Sequence, residues 1–175
     1  MKPGLLKLSI RYGVVAGVLA IVLLIILYYT GQHPFLIFPL LDFRIILFGI
    51  FIFFALKEYR DLYQNGLLYF WQGLFGSFVV IMVSSTISAI GLWIFGSADP
   101  GFVADYVEKM TQHLKSFPQE DIDRIGKEVF ERNLRDLPAT NISQLVQTHF
   151  GQGMVIGFFI SIILSVILRR TNQNT

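Results

Sequence analysis

The sequence predicts an all-α integral membrane protein, a four-helix bundle with an extracytoplasmic helical hairpin between its third and fourth spans. Three observations lead there. The chain of 175 residues is 54% hydrophobic and only 15% charged, where an ordinary soluble domain carries about 25% charged residues. The charges are also segregated, with none in residues 12–41 or 62–98. The one polar stretch, residues 97–150, holds nine of the twelve acids and has the pattern of amphipathic helix. Together these exclude a soluble globular domain, whose surface needs that missing charge. Cysteine is absent, which removes disulfides, thiolate metal sites and cysteine nucleophiles.

A bilayer core about 30 Å thick takes about 20 apolar residues at helical rise. The first span falls at about 12–29. Lys2, Lys7 and Arg11 precede it as in a signal peptide, but Tyr28–Gln32 offers no cleavage pattern and further spans follow, so it is read as retained. The second is less obvious, because the uncharged run Ile45–Leu56 has only 12 residues, about 18 Å of helix. Beginning at Pro39 and ending near Tyr59 completes it. That choice puts Pro39 and Asp42 in the first turn, where proline and an acid are both tolerated, and lets Arg44 snorkel to the headgroups. The third span, 70–95, has no charge. Trp71 and Trp93 stand 22 residues apart in it, about 33 Å, as anchors for two interfaces. The fourth, from about 151 to 168, stops at the anchors Arg169 and Arg170. Residues 1–96 thus hold three spans, 97–150 the polar segment, and 151–175 the last span with a short tail.

Lysine and arginine set the orientation. With the N-terminus inside, seven of them (Lys2, Lys7, Arg11, Lys57, Arg60, Arg169 and Arg170) cluster in short cytoplasmic segments. The segment 97–150 carries nine acids against six bases and is expected outside, with both termini cytoplasmic. Within it, Asp99-Pro100-Gly101 signals a helix start. Phe102, Tyr106, Met110, Leu114 and Phe117 then share one helix face. Ser116 and Gln119 have capping-box spacing for a second helix that ends at Pro138, and Asn141 and Gln144 repeat that spacing before span four.

Small residues mark close-packing faces. Gly153, Gly157, Ser161 and Ser165 form a strict four-residue repeat, and Gly13 and Gly17 do the same in span one; such stripes let membrane helices approach closely, within one chain or between partners. The second span, bulky nearly all round, is expected to be the most lipid-exposed. No catalytic fingerprint is present. His33, His113 and His149 have no metal-ligand spacing and read as solvated polar residues. The loop residues Glu58, Tyr59, Arg60 and Asp61 mix charge and aromatic character, as an inner-face anchor or a docking site.

Glu58-Tyr59-Arg60, then Gly66, then Phe70-Trp71-Gln72-Gly73 opening a span resembles an uncharacterised family of bacterial four-span membrane proteins, a domain of unknown function. The resemblance implies that architecture and a bacterial cytoplasmic membrane, and brings no catalytic residue. The leading expectation is a non-enzymatic accessory or structural subunit whose partners are the lipid bilayer and other membrane proteins, or further copies of itself. The alternative is a small oligomeric transporter or lipid-handling protein. No cofactor, metal or nucleic-acid partner is expected.

Overall fold

A computed structural model describes residues 3–38 and 41–171, Pro3 by its backbone alone. Helix α1 (Pro3–Tyr29) begins ahead of the uncharged run, so Lys7 and Arg11 lie within it. It ends where Thr30 Oγ1 donates to the Leu27 carbonyl (2.7 Å) and Gly31 turns left-handed at φ 88°, a position that suits glycine. A single 3-10 turn, Pro34–Leu36, follows.

Helix α2 (Arg44–Tyr63) starts later than expected. Pro39 lies outside the described residues, but Asp42 and Phe43 both precede the helix. The Asp42 side chain accepts the Arg44 N–H at 2.9 Å, so this acid closes a turn ahead of the helix instead of sitting in its first turn. At the other end Asn65 (φ 51°) and Gly66 (φ 83°) reverse the chain. Helix α3 (Phe70–Ala98) covers the expected third span. Asp99 then opens α4 (Pro100–Lys115), its Oδ1 accepting the Gly101 N–H at 2.9 Å with proline at the first helical position, a favoured pairing.

The second half of the polar segment departs from the two-helix expectation. It forms α5 (Gln119–Ile125) and α6 (Lys127–Asp136), because Gly126 takes φ 93° and breaks the helix. Ser116 caps nothing that follows; its hydroxyl donates back to the His113 carbonyl of α4 (2.7 Å), and Pro118 stands at the start of α5. After a 3-10 turn at Leu137–Ala139, the Asn141/Gln144 capping box forms as expected, with reciprocal bonds of 3.1 and 3.0 Å. It starts α7 (Ile142–Ile167).

Helix α3 is central, with α1 and α7 along it and α2 packed against all three. Glycine allows this closeness. A Cβ on Gly17 would meet Ile87 and the Ser84 carbonyl at 2.8 Å, and one on Gly157 would meet Ile81 at 2.6 Å. Gly13 lies in the same way against Val80 and Val83, and Gly153 against Ser85. Ser161 and Ser165 are buried with them, so the small-residue stripe of α7 faces α3 of the same chain. Helix α2 is not the most exposed after all: Phe48, Ile52, Leu56 and Tyr59 are fully buried along one face and form a core with Leu5, Leu8, Val80 and Ile81. Bulk on the inner side of α2 fills the groove between its neighbours, a fit that periodicity alone does not reveal.

Three helices are long and apolar enough to cross a membrane, Gly4–Tyr29, Phe70–Ala98 and Ile142–Ile167. Their outward faces stay apolar, with Val18 and Val22 on α1, Phe78 and Ile90 on α3, and Phe159 and Ile163 on α7 all exposed. Such a broad apolar surface suits lipid better than water. Trp71 and Trp93 stand exposed near the two ends of α3.

Candidate functional site

Asp42 does more than close a turn. Its carboxylate accepts the Arg44 Nε–H at 2.9 and 3.0 Å and an Nη2–H at 2.5 Å. This bidentate grip points the guanidinium inward, where the snorkelling expectation had it pointing to the headgroups. Arg44 is 5% exposed. Its Nη1 donates to the His149 carbonyl (2.7 Å) and meets His149 Nδ1 (3.2 Å), while Nη2 donates to Gln152 Oε1 (3.1 Å). Glycine at 153 leaves room, since a Cβ there would lie 3.5 Å from Arg44 Nη1. His149 Nε2 in turn lies 2.7 Å from Ser88 Oγ on α3. One arginine therefore ties the start of α2 to α7, and through His149 to α3.

The chemistry of this cluster follows from its donors. A guanidinium has five N–H groups and no acceptor, and here each N–H has a partner in the chain. Because Arg44 can only donate, Nδ1 of His149 must accept. The imidazole is thus neutral, carries its proton on Nε2, and donates it to Ser88. A serine and a histidine at this distance have the reach of a nucleophile–base pair. The proton, however, points the wrong way for a base that must take one from the serine, and both side chains are buried. The cluster is built as a clamp.

A second polar residue is buried beside it. His33 is 2% exposed; its Nδ1 accepts the Phe35 N–H (3.4 Å) and its Nε2 faces the Phe102 carbonyl (3.2 Å). Rings of Phe102, Tyr106 and Phe35 surround it at centroid distances of 4.7, 5.3 and 5.8 Å. Burial pushes its pKa below the ordinary histidine value, against the Phe102 carbonyl, which favours the charged form. His33 and His149 are therefore core residues, contrary to the solvated reading. Phe35 links the two sites, lying 6.1 Å from the His149 ring.

At the opposite end, the expected docking residues are used within the chain. Glu58 accepts from Arg11 Nη2 and from the Tyr12 hydroxyl, each at 2.6 Å. Tyr59 is buried, bonded to Gln64 and stacked on Tyr63. Arg60 pairs with Asp61 at 2.7 Å. An antiparallel bridge between Leu68 and Arg170, both bonds 2.9 Å, fastens the α2–α3 loop to the segment after α7. Among the described residues no group of three or more histidine, aspartate or glutamate side chains is placed to hold a metal.

The sequence held one signal for this site. An ionisable residue at the edge of a membrane helix invites a search for its partner, and Arg44 and His149 each meet that description. Their separation of 105 residues hid the pairing.

These features define a class: an all-α protein with membrane-spanning helices, closed at one end by a buried Arg44–His149 clamp. Residues 11–170 match the family model described as "Protein of unknown function (DUF4199)", and the chain belongs to that family. The resemblance carried by Glu58–Gly73 pointed to such a domain of unknown function. No curated protein and no solved structure matches the chain.

Proposed function

We propose that this protein is a four-span component of a bacterial cytoplasmic membrane and acts as a non-enzymatic accessory subunit that binds another membrane protein. In this reading α2 also crosses the membrane, as the second of four spans, both termini are cytoplasmic, and residues 97–150 lie outside. The positive-inside rule supports the orientation: Lys7, Arg11, Lys57, Arg60, Arg169 and Arg170 belong to the end joined by the Leu68–Arg170 bridge. An accessory role fits the buried Arg44–His149–Ser88 cluster, whose donors are used within the chain. Arg44 has no N–H left for a substrate, and His149 is held in the tautomer that cannot act as a base toward Ser88.

The observation that carries the reading is the arm. Helix α4 is anchored by buried Phe102, and the turn after α6 by Leu137, yet α5 and α6 contain no buried residue at all. Helix α6 is strongly amphipathic, and Ile125 and Val129 remain exposed. Such a helix pair is a ready surface for a second protein. Photo-crosslinking from Ile125 and Val129 in intact membranes, with Trp93 as a lipid-facing control, tests this. The expected result is one discrete adduct from both arm positions and none from the control. A chain that stays monomeric and uncrosslinked from either arm position overturns the accessory reading.

A further inference from the structure

We infer that the end of the molecule assigned to the cytoplasm carries a binding site for one anionic phospholipid, its phosphate held between Arg169 and Arg170 and an acyl chain laid along the outer face of α7. The inference rests on the membrane reading above. Its first support is a groove of about 640 Å³ between the α2–α3 turn and the chain after α7, with Asn65, Leu67, Val166, Arg169 and Arg170 among its walls. The two backbone bonds between Leu68 and Arg170 fix both walls, so the arginines project from a fastened segment.

The second support is charge. At this end Arg11 is neutralised by Glu58 and Arg60 by Asp61. Among the described residues neither Arg169 nor Arg170 has an acid within salt-bridge distance, and the nearby Asp61 is already bonded to Arg60. Two adjacent guanidiniums at a lipid interface call for an anion, and a phosphate diester matches their donor geometry.

The third support separates a lipid from a free phosphate. Val166 lines the groove and also ends a stripe of exposed residues, Val155, Phe159, Ile163 and Val166, spaced to share one face of α7. That stripe lies away from the buried Gly153–Ser165 face. It runs from the two arginines toward the middle of the membrane, as a phospholipid in the inner leaflet does.

The test uses the full chain purified in mild detergent with a mixture of phosphatidylglycerol and phosphatidylcholine, read by native mass spectrometry. Wild type should retain one phosphatidylglycerol in preference to phosphatidylcholine. The Arg169→Gln/Arg170→Gln variant should bind it on the order of 30-fold more weakly, while Lys57→Gln, a cation of the same end, keeps it. Equal retention of both lipids, or a preference untouched by the double substitution, overturns the site. So does full competition by inorganic phosphate, which would make the site one for free anions. Flotation with vesicles separates this failure from that of the membrane reading: a chain that floats with both lipid compositions but shows no preference lacks the site, whereas one that floats with neither is not a membrane protein.

Discussion

Replacing Arg44 with methionine probes the clamp most sharply. Methionine keeps the unbranched length of the side chain and removes every N–H. The Asp42 carboxylate is then left with the backbone N–H of residue 44, and the His149 side-chain nitrogen and carbonyl lose their shared donor. Breaking a buried ion pair by removing one partner costs about 3–5 kcal/mol. The Asp42 side chain is 14% exposed, so water recovers part of its loss and the lower end, about 3 kcal/mol, applies. For a chain of this size that corresponds to a melting temperature about 6–12 °C lower in a fixed detergent. Arg44→Lys should fall between, because an ammonium keeps the charge but cannot span Asp42, His149 and Gln152 at once. The double substitution Arg44→Met/Asp42→Asn should lose less than the sum of the singles by at least about 1 kcal/mol, since the stranded carboxylate is gone. Thermal unfolding of wild type, Arg44→Met, Arg44→Lys, Asp42→Asn and the double variant, followed by circular dichroism, decides the matter. A methionine variant within about 2 °C of wild type would show that the Arg44 clamp does not hold the fold, and additive singles would show that Arg44 and Asp42 do not act as a pair.

Two further predictions follow from the packing and from His33. Gly157→Ala should destabilise the fold, because its methyl group would meet Ile81 at 2.6 Å and push α7 off α3. Gly49→Ala is the control, with nothing within 4 Å, and should be neutral or stabilising by roughly 0.5–1 kcal/mol through helix propensity. Stability should also depend on pH through His33. Its folded pKa is lowered, so the unfolded chain takes up the proton first; stability is complete above the unfolded value of about 6.5 and is lost as the pH falls below it. The slope from this residue is at most about 1.4 kcal/mol per pH unit. Melting curves at pH 7.5 and below should diverge for wild type and converge for His33→Gln, apart from the share that other groups titrate; an unchanged acid sensitivity in the variant would contradict the assignment.

Much of this architecture is legible in the sequence because it is local. Charge-free runs mark the long helices α1, α3 and α7. The Asn141/Gln144 box and the Asp99-Pro100-Gly101 start act within four residues, and both form where the spacing puts them. The small-residue stripes likewise identify packing faces, though only the structure shows that α7 turns its stripe toward α3. The features the sequence does not announce are non-local or conformational. Arg44 has the composition of a snorkelling residue; its inward turn depends on Asp42 two residues before it and on His149 far along the chain. His33 and His149 look solvated in isolation; His33 is buried because aromatic rings from α1, the 3-10 turn and α4 close over it, and His149 because Arg44 and Ser88 engage both its ring nitrogens. Helix α2 lacks a stripe, so its buried side, from Phe48 to Tyr59, carries no periodic mark. Gly126 breaks a helix that its neighbours would continue, through a backbone angle that composition does not announce.

The four-span arrangement requires α2 to cross the membrane. The chain has no cysteine, so single cysteines can be placed at Gln32 and Asn65, on either side of α2, and labelled in intact cells with a membrane-impermeant maleimide. If α2 crosses, Gln32→Cys is labelled from outside and Asn65→Cys only after the membrane is opened. Labelling of both positions from the same side would show that α2 does not cross, and would contradict the four-span arrangement.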